Sequence, residues 1–431
     1  VTRSAFPLEA LDKPSIHVGF LIVVLSFLLY IPFLTIPFLP DDYLQVTLAR
    51  KFGPISQWRH LFEDPLYRNR ATSLVLTYWT DSLFPLSSLA FGMSSIALHA
   101  MNALLVYGLG TARSIGWRLS ALTAFAFALQ ERDHEAVVWY AALPELLVFL
   151  FGLATLLLWI RWLNSGKRSA GLWMAMLATF VLAAFSKESA VATILLMILL
   201  AFLEKAEIRR VILGVLPIVV FGAAYVVWIF QGQEQNHHFS DGTFVIQAGF
   251  LKTMALSAAR GLWVWGWASI ILLFVLRSHK YAMLAGSILW MLAALLPYSF
   301  LDYMQTVPSR HHYLAAVGCS LIIAMGLLKL YERRPGSYLV AWCLLAIAIH
   351  HAGYLWTVKY RQFEARSQPI EAFIQFLESE SHRPIAIQCS EYLFLEARRA
   401  AHLRYGEPEE NLVLDLSATH RDIPAYCLPG L

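Results

Sequence analysis

Apolar runs of membrane-crossing length alternate along this chain with short polar gaps. A helix needs about 20 apolar residues to cross a bilayer, at 1.5 Å of rise each. The run 18–37 meets that length, and 86–109, 143–160, 211–230, 262–276, 281–300, 313–330 and 337–356 approach or exceed it. With the shorter runs 117–130, 171–185 and 189–202, the pattern predicts about eleven spans and an all-α polytopic membrane protein. Residues 40–84 form a polar, aromatic-rich loop, in which Gln57-Trp58-Arg59-His60-Leu61-Phe62 reads as an amphipathic helix lying in the interface. A second polar loop covers 231–260. After Trp356 the spacing changes to that of soluble structure, with helices at 369–377 and 391–402 and strands at 385–388 and 411–416. The chain thus divides into a transmembrane domain, 1–356, and a small α/β tail, 357–431, too short for an independent core and expected to lean on the membrane part.

Composition agrees: 58% of residues are hydrophobic and 14% charged, where a soluble domain carries about 25% charged residues. Basic residues are spread singly and the net charge is only +4, so no nucleic-acid surface is expected. Four cysteines are too few for a disulfide scaffold. Cys319 and Cys343 lie in apolar runs, whereas Cys389 and Cys427 can pair if the tail faces an oxidising compartment. Arg3 and Lys13 before the first run read as the flank of a signal anchor that stays in the membrane.

Lys and Arg set the orientation. With the N-terminus in the cytoplasm, every even-numbered return is short and basic: Arg113 and Arg118; Arg161, Lys167 and Arg168; Lys205, Arg209 and Arg210; Arg277 and Lys280; Lys329, Arg333 and Arg334. An odd number of spans then puts the tail outside, in the setting of a bacterial inner membrane.

The outer face receives acids, bases and histidines together: Asp41, Asp42, Glu63, Asp64, Arg68, Glu131, Asp133, His134, Glu135, Lys187, Glu188, His237, His238, Asp241, Asp302, Arg310, His311 and His312. A transporter would place such groups at the mid-plane in broken helices. Here they sit at helix ends and in loops, which argues for a reaction at the outer surface. Of the neighbours Asp41 and Asp42, one can keep its proton and serve as a base; the plainer reading is a solvated helix stop. Glu131, Asp133, His134 and Glu135 can position an acceptor or hold a cation, or form a solvated turn. Lys187-Glu188 reads either as a self-neutralising turn or as a lysine that meets a phosphate with Glu188 holding it. Arg310, at a helix start with N–H groups behind it, suits a phosphate clamp or an interfacial anchor. The histidine spacing matches no compact metal motif, so a divalent metal stays an open alternative. Trp263, Trp265 and Trp267 read as an aromatic belt.

Several ordered segments resemble the GT-C glycosyltransferases, multi-span enzymes that use sugars carried on polyprenyl phosphates. Tyr67-Arg68-Asn69-Arg70 and then Leu98-His99-Ala100-Met101-Asn102-Ala103-Leu104-Leu105 is similar to that family's YRP … hlxNalL run. His134-Glu135-Ala136-Val137-Val138-Trp139 with Pro144-Glu145-Leu146-Leu147 resembles its H-x-E-A-V-x-W … R-x-D-L-L segment. Ser186-Lys187-Glu188 resembles its SKE motif, and Ser309-Arg310-His311-His312-Tyr313-Leu314 its ERYxYLP motif. The nearest likeness is to the protein O-mannosyltransferase-like branch. Asn69, Pro144-Glu145, Ser309 and Ala315 depart from the pattern, which leaves the acceptor open.

The resemblance implies an outer-face inverting transfer from a polyprenyl-phosphate sugar to a hydroxyl of a protein, glycan or lipid, with no cofactor certain. Asp42, slightly ahead of Asp41, would take the acceptor proton. Arg310 and Lys187, with His311, would meet the lipid phosphate. Glu131 or Asp133, with Glu135, His134, Glu188 and Arg68, would place acceptor and sugar. The rival readings are a lipid or solute transporter or flippase, and a diverged, non-catalytic protein of the same fold. An enzyme requires the acids and Arg310 to line one outward cavity.

Overall fold

The computed structural model describes residues 11–165, 169–235, 242–245, 249–278, 280–302, 304, 309–335, 338–414 and 425–428. Lys167, Arg168, His237, His238 and Asp241 lie outside the described residues.

The chain is mainly helical. Helix α1 (Ile16–Tyr30) continues as a 3-10 turn over Ile31–Thr35, with Pro32 at its start. Helix α2 (Pro40–Phe52) begins after an extended link; Pro40 needs no N–H partner there, and Asp41 and Asp42 sit in the first turn, where the helix dipole favours carboxylates. Then come α3 (Trp58–Glu63), α4 (Ala71–Leu83), α5 (Ser88–Gly108), α6 (Gly116–Ala128), the single turn α7 (His134–Val138), and α8 (Leu143–Asn164). Helices α9 (Ala170–Ala184), α10 (Ala192–Leu203), α11 (Ile208–Phe230), α12 (Phe250–Val275), α13 (Tyr281–Leu295), α14 (Ala316–Arg333) and α15 (Leu339–Tyr354) complete the bundle.

Helix α8 is its centre, packing on α5, α9 and α10; its Trp159 is fully buried and donates to the Met197 carbonyl at 2.8 Å. Gly318 lets α14 lie against α13, because a Cβ there would collide with the Ser287 carbonyl. Helix α12 breaks at Trp263, whose φ is 47°. Phe20, Leu28, Ile198, Phe202, Leu216 and Val220 stay exposed on helix surfaces, as suits a bundle whose outer solvent is lipid.

Among the described residues, seven helical stretches are long and apolar enough to cross a membrane: Ile16–Thr35, Ser88–Thr111, Tyr140–Asn164, Ile208–Phe230, Phe250–Val275, Tyr281–Tyr298 and Leu339–Ser379. The expectation of about eleven departs from this for a physical reason. Helices α6, α9 and α10 have 13, 15 and 12 residues, short of a full crossing, and α14 carries Lys329, Glu332 and Arg333 near its end.

Helix α15 passes through a π-turn at Leu355–Lys359 into α16 (Tyr360–Ser379) without a break at residue 356. Strand β1 (Ile385–Gln388), helix α17 (Glu391–Tyr405), β2 (Leu412–Leu414) and β3 (Ala425–Cys427) follow. The strands form a parallel sheet in the order β2-β1-β3, with Ile385 opposite Leu412 and Ala386 opposite Ala425. This tail shares one apolar core with the bundle: Phe33, after α1, packs on Tyr360 and Phe363 of α16 at ring distances of 5.9 and 6.2 Å. Cys389 and Cys427, expected to be able to pair, are free thiols.

Candidate functional site

Asp42 is 4% exposed. Its Oδ2 accepts the Leu39 N–H at 2.9 Å, closing the start of α2, and its Oδ1 accepts the Ala141 N–H at 2.8 Å, tying α2 to the turn before α8. Burial raises its pKa to about 7, against the pull of the two amides. Asp41 is half-exposed, and its Oδ1 accepts the Tyr392 hydroxyl at 2.6 Å. Its Oδ2 has no hydrogen-bond partner among the described residues. The two acids, ranked with Asp42 slightly ahead from sequence, differ in their surroundings. Asp42 has both oxygens committed to backbone, and Asp41 has one open to a ligand.

Beside them, α7 meets the 3-10 turn Ser309–His312. The Glu135 N–H donates to Ser309 Oγ at 3.1 Å, and the Arg310 N–H donates to Glu135 Oε2 at 3.3 Å. The Arg310 guanidinium lies 4.6 Å from the Trp139 ring, and Arg366 of α16 lies 4.9 Å from the same ring. Burial works the other way, yet His134, Arg310 and Arg366 hold the Glu135 carboxyl below its ordinary value. Asp42 is bonded to Ala141, two residues past Trp139, so Asp41, Asp42, Glu135, Trp139, Arg310 and Arg366 form one constellation along α2, α7 and the turn before α8. Two guanidiniums thus meet one indole ring, which concentrates positive charge beside Trp139.

Lys187 and His311 face elsewhere. Lys187 Nζ forms an ion pair with Glu145 Oε1, at the start of α8, and His311 Nδ1 meets the same oxygen at 2.8 Å. The Tyr298 hydroxyl donates to Glu145 Oε2 at 2.5 Å, and its ring stacks on His311 at 4.4 Å. All four side chains are buried. Buried charge survives only when paired and hydrogen-bonded, and this network meets that condition without a ligand.

Glu188 and Arg68 hold the scaffold. Glu188 accepts from Asn69 Nδ2 at 2.7 Å and pairs with Arg70 at 3.1 Å. Arg68 donates to the carbonyls of Trp228 and Ile229 at the end of α11 and stacks on Trp228 at 4.4 Å, a cation on the negative end of a helix. Two segments far apart in sequence thus lock together.

Glu131 and Asp133 are fully buried, and among the described residues none of their four carboxylate oxygens has a hydrogen-bond partner; Glu131 meets Arg132 at 3.4 Å. Burial raises both pKa values, which favours neutral acids over bases. His134 is 4% exposed, its Nδ1 lies 2.6 Å from the Glu131 carbonyl, and burial lowers its pKa to about 4. These three pack inside the protein rather than on an open groove. Among the described residues, no group of three or more His, Cys, Asp or Glu side chains is arranged to hold a metal ion.

The residues that sequence reasoning missed are Arg366 and Tyr392, supplied by the tail, and Glu145 with Tyr298, at the heart of the Lys187 network. Glu145 stood inside a recognised segment, where an Arg-x-Asp was expected. Tyr392 lies 351 positions from its partner, and no local pattern marks it.

The sequence matches no protein-family model and no curated protein. Its fold does have solved counterparts. The crystal structure of ArnT from Cupriavidus metallidurans bound to undecaprenyl phosphate superposes with a TM-score of 0.56 at 12% identity, over 93% of this chain and 90% of that one. The apo form of the same protein gives 0.55. The Archaeoglobus fulgidus oligosaccharyltransferase, crystallised with a tethered acceptor peptide containing the NVT sequon, gives 0.50 at 13% identity, over 89% of this chain and 63% of that one. At such identities the likeness is one of architecture: this multi-pass chain shares its fold with these two membrane proteins.

Proposed function

We propose that the chain is a membrane glycosyltransferase that moves a sugar from a polyprenyl phosphate to an acceptor hydroxyl on the outer face, with inversion. The observation that carries this is the constellation itself. A half-exposed carboxylate with an open oxygen starts the helix that Asp42 ties to Ala141, two residues past the tryptophan on which two arginines stack. That is what an acid-labile sugar phosphate needs, a base on one side and an anion seat on the other. The fold adds support, because one protein that shares it was crystallised with undecaprenyl phosphate.

In this reading Asp41 Oδ2 accepts the proton of the acceptor hydroxyl. The acceptor oxygen forms its bond to the anomeric carbon as the bond from that carbon to the phosphate oxygen breaks. The electron pair leaves on the phosphate, and Arg310 stabilises the added charge. Glu135 holds the Arg310 backbone in place. Asp42 fixes the first turn of α2 so that Asp41 projects outward. Lys187 and His311 act through Glu145 as scaffold rather than as phosphate ligands. Counting α6, α9, α10 and α14 as crossings gives the eleven spans that put the N-terminus in the cytoplasm and the tail outside. The ordered motifs favour an O-mannosyltransferase-like acceptor hydroxyl, on a protein, glycan or lipid. No step requires a divalent metal.

A transporter built on the same fold would expose its site to both faces in turn and form no new covalent product. Binding of undecaprenyl phosphate to the detergent-solubilised full chain tests the anion seat. Hydrogen bonds to charged groups are worth about 1.5–3 kcal/mol, so Arg310→Ala is expected to weaken binding at least about 10-fold. Equal affinity in the variant removes the clamp.

A further inference from the structure

The tail is built against the acid pair. Helix α17 packs along α2, and Ser390 caps its start by accepting the Leu393 N–H at 3.4 Å. This places Tyr392 in the first turn, where its hydroxyl reaches Asp41 Oδ1 at 2.6 Å. That length is typical of a hydroxyl on an ionised carboxylate. Tyr392 is 45% exposed, so core packing does not account for a tyrosine there. One turn further on, Glu396 is 1% exposed; one of its oxygens pairs with Arg399 and the other has no partner among the described residues. Arg404 donates to the Tyr43 hydroxyl at 3.1 Å. Asp41 is therefore surrounded by Asp42 on its own helix, by Tyr392 and Glu396 from α17, and by Arg366 from α16, near enough to act on Tyr392 and Asp42.

A half-exposed aspartate turns freely about its side-chain torsions. One strong bond to Oδ1 removes that freedom and leaves Oδ2 in a single direction. We infer that Tyr392 is a positioning residue for Asp41 and that the C-terminal tail is a working part of the transfer site, an inference that rests on the transferase reading above. The bundle supplies the carboxylate and the tail aims it. The same tail carries Arg366 to the Trp139 ring, so both sides of the reacting bond receive a group from it.

The test uses the full-length chain and a set of synthetic undecaprenyl-phosphate sugars, with release of undecaprenyl phosphate as the readout in native membrane lipid. A positioned general base supplies on the order of 10²–10⁴ in rate. Loss of aim alone in Tyr392→Phe is expected to lower kcat about 10-fold while KM for the donor stays unchanged. Arg383→Ala serves as the structural control, because Arg383 pairs with Glu407 within the tail at 2.8 Å; it is expected to lower thermal stability and leave kcat alone. Full kcat in Tyr392→Phe, or an equal loss of kcat in Arg383→Ala, overturns the inference. If Asp41→Asn is inactive while Tyr392→Phe is unaffected, only the role of the tail fails. If Asp41→Asn is fully active, or the wild-type chain releases no undecaprenyl phosphate from any donor, the transferase reading fails and takes this inference with it.

Discussion

Asp41 and Asp42 are chemically identical neighbours held in different surroundings. Both Asp42 oxygens are spent on amides that fasten α2 to the turn before α8. Asn at that position offers one acceptor and turns a donor toward the second N–H, a loss of about 1–3 kcal/mol for the unsatisfied group. A pH signature accompanies it. The Asp42 pKa of about 7 in the folded chain lies above its unfolded value of about 3.9, so the folded state binds the proton more tightly. The contribution of this group is complete below the unfolded pKa and is lost as pH rises through about 7. Between pH 5 and pH 8 the Tm of the native chain should therefore fall more than that of Asp42→Asn. Parallel profiles would contradict the assignment. The adjacency of the two acids was legible in the sequence. Which of them is tied down was not, because the amide that decides it lies 99 positions away.

At the scale of elements, the recognised motifs prove to be joints. The run around Arg70 and the run around Glu188 pair with each other, and Lys187, His311 and Tyr298 converge on Glu145 from three separate segments. The sequence presents Lys187 and Arg310 alike, as basic residues at outer turns, but Lys187 is buried against Glu145 while Arg310 stacks on Trp139. Breaking a buried pair by removing one partner costs about 3–5 kcal/mol. Lys187→Met should lower Tm accordingly, and adding Glu145→Gln should restore most of it by removing the stranded charge. The double variant should bind undecaprenyl phosphate as the wild type does. A folded double variant with about 10-fold weaker binding would place Lys187 on the phosphate after all.

Across the whole molecule, hydrophobic length alone announced a polytopic helical protein, because a bilayer demands long apolar runs. Length separates seven full-length stretches from α6, α9 and α10, which have the composition of a crossing but not its length. It could not foresee how far the tail merges with the bundle, a matter of side chains such as Phe33 and Phe363 meeting across the sequence. The orientation drawn from the basic loops has a direct check. Cys427 is exposed on the tail, so in intact cells a membrane-impermeant maleimide should label it from outside. Labelling only after lysis would invert the topology and move the constellation to the cytoplasm.

The central claim is that this constellation transfers a sugar from a lipid phosphate. Its most direct measurement is the mass of the products formed when the wild-type chain and Asp41→Asn are incubated with undecaprenyl-phosphate sugars in native membrane lipid. The account predicts undecaprenyl phosphate and an acceptor heavier by one sugar residue from the wild type, and neither above background from Asp41→Asn. Unchanged donor with the wild type, or equal product from both, would contradict it.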